Sequence, residues 1–177
     1  MRVFEMRKCL EDLQIPCRWV PDLGFGNGYP LFNYYNVFPY YIGGLASFVL
    51  GFINSAKLLI LISVILAPFS MFLLIKELFG KYSALVASTL YAFAPYRALD
   101  IYVRGAVSES FAIAIIPLVF YFGLKVIREN NLKNKILLSF SVGAFLASHN
   151  IMTLLFFPLI IIFFAIILWK ESKIKIY

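Results

Sequence analysis

Long apolar runs are the feature that most constrains this chain, because no water-soluble core of this size needs them. The runs are Lys57 to Ile75, Tyr82 to Ala94, Phe111 to Ile127, Ile136 to Ala147 and Ile151 to Trp169. A helix that crosses about 30 Å of hydrocarbon takes about 20 apolar residues, so the chain is read as an all-α, polytopic bundle of about five transmembrane spans. Those starting at Tyr82 and Ile136 are short for this task and are expected to extend into their flanks or to end inside the bundle, where backbone groups find protein partners. Pro68, Pro117 and Pro158 interrupt three others and predict kinks. The composition agrees: 62% of the 177 residues are hydrophobic and 14% charged, where a soluble domain carries about a quarter charged.

Charge then orients the bundle. Lysine and arginine are retained on the cytoplasmic side of short loops. Lys76 and Lys81, then Lys125, Arg128, Lys133 and Lys135, then Lys170, Lys173 and Lys175 fall on alternate connections, with Glu77, Glu129 and Glu171 as their acids. These nine basic and three acidic residues account for six of the seven net positive charges, and Lys57 supplies the seventh. The opposite face is neutral: Arg97, Asp100, Arg104 and Glu109 balance in one loop, and four acids balance four bases over residues 1–36. The excess is therefore topology. It does not form the basic, aromatic-interleaved stripe that would mark a nucleic-acid partner. The expected location is the cytoplasmic membrane, with the basic loops and tail inside.

Three regions follow: an extracytoplasmic segment over 1–56, the bundle over 57–169 and a basic cytoplasmic tail over 170–177. The first opens with an amphipathic helix (Val3, Phe4, Met6, Leu10 and Leu13 on its apolar side), expected to lie on the membrane. Val37 to Ile53 is long enough to span, but Pro39, Gly43, Gly44 and Gly51 suit an interfacial or re-entrant helix better. Residues 1–36 lie outside with no signal peptide to carry them there, which predicts a membrane segment upstream of Met1. Cys9 and Cys17 match no metal spacing; a disulfide between them is open.

Candidate functional residues lie on the neutral face. From Trp19 to Tyr35 the chain is rich in glycine, proline and aromatics, a loop composition. No strand precedes its glycines and no Lys-Ser/Thr follows, which excludes a nucleotide loop. Asp22 there is either a carboxylate tuned by aromatic surroundings for general-base work or a turn cap in a belt at headgroup level; Trp19 and Tyr29 either stack on substrate or belong to that belt. Arg97, Asp100 and Arg104 are spaced by three and four, one face of a helix. Two arginines with one acid suit a phosphate head group, or a salt-bridged loop. Glu109 after Ser108 is either a first-turn carboxylate favoured by the helix dipole or an ionisable group facing the arginines. His149, the single histidine, sits at the outer end of a short span and is either a hydrogen-bonded helix-end residue or part of the same chamber. HExxH and GxSxG are missing, so the usual hydrolase and metalloprotease motifs do not apply. Nothing calls for a cofactor, and no dense carboxylate cluster supports a divalent metal.

Three blocks carry a family resemblance: Arg18-Trp19-Val20-Pro21-Asp22-Leu23-Gly24 with Gly28-Tyr29-Pro30-Leu31-Phe32-Asn33-Tyr34-Tyr35; Ala94-Pro95-Tyr96-Arg97 with Asp100 to Glu109; and Ser148-His149-Asn150. On these the chain resembles the 6-pyruvoyl-tetrahydropterin synthase-related polytopic membrane proteins, which look like members of the C-type (GT-C) membrane glycosyltransferase superfamily. The pterin enzyme in that label is a soluble fold of which this chain shows nothing. The resemblance implies sugar transfer from a polyprenyl-phosphate donor at the outer face, with Asp22 or Glu109 taking the acceptor proton. Arg97 and Arg104 would meet the lipid phosphate, Asp100 would orient them and His149 would line the chamber. Relatives of this kind begin with a span and an acidic motif and continue with further helices, so the resemblance also implies a piece of a longer protein. Two other functions fit the same residues: a transporter or flippase of a lipid-linked anion, and a non-catalytic membrane assembly subunit. The bilayer and a lipid-linked sugar donor are the expected partners.

Overall fold

The computed structural model describes residues 1–174, with side chains described through Trp169; the basic tail read over 170–177 lies outside those side chains. Helices come in the order α1 (Arg2–Glu11), α2 (Leu31–Tyr34), α3 (Phe38–Phe79), α4 (Lys81–Ala92), α5 (Pro95–Ala98), a π-helical turn (Leu99–Val103), α6 (Val107–Glu129), α7 (Leu132–Leu146) and α8 (Asn150–Ile174). Among the described residues the one β-type contact is an isolated antiparallel bridge between Val20 and Tyr29. The all-α membrane bundle read from the sequence is what the chain forms.

Among the described residues three helices are long and apolar enough to cross a membrane: Phe38–Phe79, Val107–Glu129 and Asn150–Trp169. With 12 and 15 residues, α4 and α7 reach only about 18 and 22 Å at 1.5 Å per residue, short of the hydrocarbon thickness. Five apolar runs are thus present as helices, but only three have full spanning length.

The longest helix is not one rod. At Gly51 the backbone takes φ 72°, ψ 171°, a region essentially confined to glycine. Gly43 and Leu59 lie eight residues either side of it, about 24 Å apart in a straight helix. A Cβ placed on Gly43 would stand 2.8 Å from Leu59 Cδ1. The chain therefore folds back at Gly51, and segment 38–50 lies along 52–79. The sequence reading divides the two regions at 56/57; the physical break falls at Gly51, and Lys57 sits inside the second arm. The amphipathic helix α1, expected on the lipid surface, instead lays Val3, Met6 and Cys9 into this hairpin, where Met6 meets the bare face of Gly44. Cys9 and Cys17 are joined by a disulfide with Cα atoms 5.5 Å apart.

Helix α6 is the axis of the bundle, buried on all sides from Ser108 to Pro117 and on one side as far as Leu124. The second arm of α3 presents Ser55, Leu59, Ser63, Ala67 and Ser70 inward, a stripe of mostly small side chains at helical spacing that lets neighbouring backbones approach. Ser63 and Ser70 hydroxyls donate to carbonyls three residues back in their own helix, so no polar group is stranded. Ser110 Oγ donates to Ser63 Oγ at 3.0 Å near one end, and Arg128 Nη1 donates to Glu77 Oε1 at 2.7 Å near the other. This arm and α6 therefore run side by side in the same direction. Pro117 cannot donate to the Ile113 carbonyl four residues earlier; the Tyr91 hydroxyl of α4 does so instead, at 2.8 Å.

The two ends of α6 differ in chemistry as the loop charges predict. One gathers Glu77, Lys125, Arg128 and Glu129 in partly exposed ion pairs of 2.6 to 3.3 Å, with Asn131 capping α7 through Asn134 N–H at 2.8 Å. The other gathers Arg97, Asp100, Arg104, Glu109 and His149.

Candidate functional site

Because Tyr91 meets α6 at Ile113, the last turn of α4 stops about two turns below the start of α6, and the chain refolds over the gap. Pro95 opens α5 and the wider π-helical turn follows; such turns recur at functional sites. Gly105, at φ 58°, turns the chain into α6. This refolding separates the two arginines. Arg97 is buried, 4% exposed, and its Nη2 donates to the Ser63 carbonyl at 3.1 Å. Arg104 swings the other way.

Arg104 is the hub. Its Nη1 lies 3.0 Å from Asp100 Oδ1 and its Nη2 2.9 Å from Glu109 Oε2. The same Nη1 donates to the Tyr96 hydroxyl at 3.1 Å, and that hydroxyl donates in turn to Glu109 Oε1. Both oxygens of Glu109, a residue only 3% exposed, are therefore engaged by side chains, and the carboxylate does not cap its helix. His149 Nε2 stands 4.0 Å from Glu109 Oε2. Its Nδ1 accepts the Met152 N–H at 3.2 Å, which fixes the ring proton on Nε2, facing the carboxylate. Burial holds the histidine below its ordinary pKa, against the pull of Glu109.

Asp100 is the odd member. It is fully buried, and only one of its oxygens has a partner; Oδ2 has none. Burial, reinforced by the Glu109 charge, pushes its pKa up to about 6 despite Arg104, within the range in which a carboxyl trades protons near neutrality. Arg97 Nη1 likewise lacks a protein partner. Among the described residues no three His, Cys, Asp or Glu side chains converge as a metal site.

Residues from the first block stand apart from this network. Asp22 pairs with Lys8 of α1, and Trp19 packs against Gly28, where an added Cβ would sit 2.4 Å from the indole nitrogen. Tyr29 is held by the paired N–H and carbonyl groups of Val20, at 2.8 and 2.9 Å. The end of that block does reach the third: Asn150 Nδ2 donates to the Tyr34 carbonyl at 3.1 Å, and Asn36 Nδ2 to Asn150 Oδ1 at 3.3 Å. Sequence reasoning missed Tyr96 as a bridge, Ser63 as the anchor of Arg97, and Arg2. The Arg2 guanidinium stacks 4.0 Å over the Tyr35 ring and donates to Tyr40 OH at 3.1 Å, a hydroxyl that Ser108 also contacts at 3.2 Å. Tyr96 carried a signal, its place beside Arg97 in a quoted motif; Ser63 carried none within its apolar run.

Helices of spanning length with a partly buried, charged network at one end define a helical membrane protein. More particularly, residues 32–177 match the model of the 6-pyruvoyl-tetrahydropterin synthase related domain, a membrane protein family, and the chain belongs to it. It is also similar to a protein of Lactococcus lactis subsp. cremoris (strain MG1363) described as "Uncharacterized protein", 23% identical over 180 residues. That match covers 98% of this chain and 29% of the relative, so the chain spans less than a third of the relative's length. No solved structure matches.

Proposed function

We propose that the Tyr96–Asp100–Arg104–Glu109–His149 network is an extracytoplasmic site that transfers a sugar from a polyprenyl-phosphate donor to an acceptor hydroxyl, in the manner of a C-type glycosyltransferase. The observation that carries the reading is a pair of buried carboxylates, Asp100 and Glu109, held by the half-exposed Arg104 beside a neutral histidine, at one end of a bundle otherwise built for lipid. Ionisable groups there are costly and are kept for binding or proton movement.

The chemistry assigns the groups. The acceptor oxygen forms a bond to the anomeric carbon as the bond from that carbon to the phosphate oxygen breaks, its electron pair leaving with the phosphate. The acceptor proton passes to a carboxylate, Glu109 with Asp100 beside it, and Arg104 and Arg97 stabilise the departing phosphate. Asp22, half-exposed and paired with Lys8, is the weaker choice for that proton; Trp19 and Tyr29, about half exposed, remain candidates to stack on sugar. Outward orientation is supported by the basic residues at the opposite end of α6 and by the Cys9–Cys17 disulfide, a bond of oxidising compartments.

The test is sugar transfer by membranes containing the full chain, supplied with polyprenyl-phosphate-linked sugars, with Glu109→Gln and Asp22→Asn as controls. Transfer should fall about 100-fold or more in Glu109→Gln with donor binding retained. Donor binding without transfer in every case would replace this reading with that of a transporter.

A further inference from the structure

The Glu109 end of the bundle holds a second feature that the proposed chemistry does not use, a cleft of about 500 Å³ between α1, the α3 hairpin and the entry to α6. Its wall is mostly apolar, formed by Val3, Phe4, Leu31, Phe52, Leu59 and Val107, and its volume is that of a small-molecule site. Three basic side chains project from α1, and two are neutralised: Arg7 by Glu11 at 2.7 Å and Lys8 by Asp22. Arg2, which lines the cleft, is exposed and forms no ion pair among the described residues. Its guanidinium is nevertheless fixed, lying 4.0 Å over the Tyr35 ring while Nη1 donates to the Tyr40 hydroxyl at 3.1 Å. Stacking uses the flat face of the guanidinium and leaves donors along its edge, the arrangement that takes a carboxylate or phosphate. Tyr40, 4% exposed, is in turn joined to Ser108 Oγ at 3.2 Å, which anchors the charged end of the cleft to the first turn of α6. A cation held by aromatic rings, with no acid to neutralise it and an apolar wall beside it, suits a ligand that carries an anionic group on an apolar body. The cleft also reaches the loop of the network. Gly105, the residue after Arg104, lines it, and a Cβ built on Gly105 meets no neighbouring heavy atom within 4 Å; Ser108 directly precedes Glu109.

We infer that this cleft seats a compact amphiphilic acid, its carboxylate or phosphate on Arg2 and its apolar body against Phe4, Phe52 and Val107. In the proposed transfer this ligand is the acceptor, its hydroxyl directed past Gly105 to Glu109. The acceptor role rests on the transferase reading above; the cleft and its anion do not. Such a ligand comes either from water or from the head of a membrane lipid, and the chemistry at Arg2 is the same for both.

The experiment is photolabelling of the full chain in phosphatidylcholine nanodiscs, with labelled residues mapped by mass spectrometry. Three diazirine probes are compared: an aryl-diazirine benzoate, the matching uncharged benzyl alcohol, and an alkyl phosphate held in the disc with its diazirine beside the phosphate. The benzoate should label the segments around Phe4, Leu31 and Phe52, and the alcohol should label them about tenfold less. Labelling should fall by a similar factor in Arg2→Gln, with less loss in Arg2→Lys. It should also fall in Ala56→Trp, where an exposed residue of the cleft wall is enlarged to fill the space. Equal or stronger labelling of these segments by the alkyl phosphate makes a membrane lipid the source and still supports the cleft. Equal labelling by the alcohol, or labelling undiminished in Ala56→Trp, overturns it, and these two readouts decide the matter even if Arg2→Gln fails to fold. Cleft labelling without sugar transfer leaves the binding site standing and removes the transferase; transfer without cleft labelling does the opposite.

Discussion

Arg104 and Asp100 show how little of a site a spacing rule contains. Residues 97, 100 and 104 share one face of an ideal helix, and the pair Asp100–Arg104 forms as that rule predicts. Arg97 does not join it: it lies in α5, ahead of the π-helical turn, and its guanidinium goes inward to the Ser63 carbonyl. The network has a pH signature. Asp100 has a folded pKa of about 6 against an ordinary value of 3.8, so the folded protein binds the proton more tightly than the unfolded chain. Its contribution is fully present below about pH 4 and is lost as pH rises through about 6. Relative to Asp100→Asn, the melting temperature of the native chain in detergent should therefore decline from pH 4 to pH 7, the opposite pull of His149 being common to both proteins; a difference that does not change with pH would remove Asp100 from the titration. Arg104→Gln leaves two buried carboxylates without their cation and should destabilise more at pH 8 than at pH 5, where Asp100 holds a proton, with Asp100→Asn partly restoring the double variant.

Helix existence was written plainly in the apolar runs, and helix ends and turns were not. The run from Phe111 to Ile127 became α6 with one turn added in front, because Glu109 is neutralised by Arg104 and Tyr96 and so tolerates burial. Around Gly51 the sequence marked an interfacial or re-entrant helix through Pro39, Gly43, Gly44 and Gly51, but it did not locate the fold-back at Gly51, since hydropathy is blind to φ. No heavy atom lies within 4 Å of a Cβ added there, so Gly51→Ala tests backbone alone. It should cost about 1–3 kcal/mol in equilibrium unfolding, where a position of ordinary helical φ would gain from the same change. Tyr91→Phe removes the donor to the carbonyl that Pro117 leaves free and should cost about 1 kcal/mol. The loss should appear as faster hydrogen exchange near Ile113; exchange unaltered there would mean the carbonyl finds another donor.

At the scale of the molecule, charge reported the two ends of the bundle correctly as ends, since Glu77 with Arg128 and Glu109 with Arg104 lie at opposite termini of α6. What it could not report is which residues of the N-terminal loop approach the start of α8: Asp22 and Trp19 stay in their own unit, whereas Tyr34 and Asn36 meet Asn150, the neighbour of His149. Those contacts depend on how α1, the loop and the α3 hairpin stack, a tertiary matter without periodicity. The proposed chemistry requires the Arg104 network to face away from the cytoplasm. Single cysteines at Tyr102→Cys, beside Arg104, and Leu132→Cys, at the basic end, are exposed positions that report each end. In a background lacking Cys9 and Cys17, intact cells would be treated with a membrane-impermeant maleimide. Labelling is expected at position 102 in intact cells and at 132 only after permeabilisation. Labelling at 132 alone in intact cells would place the network inside and contradict that chemistry.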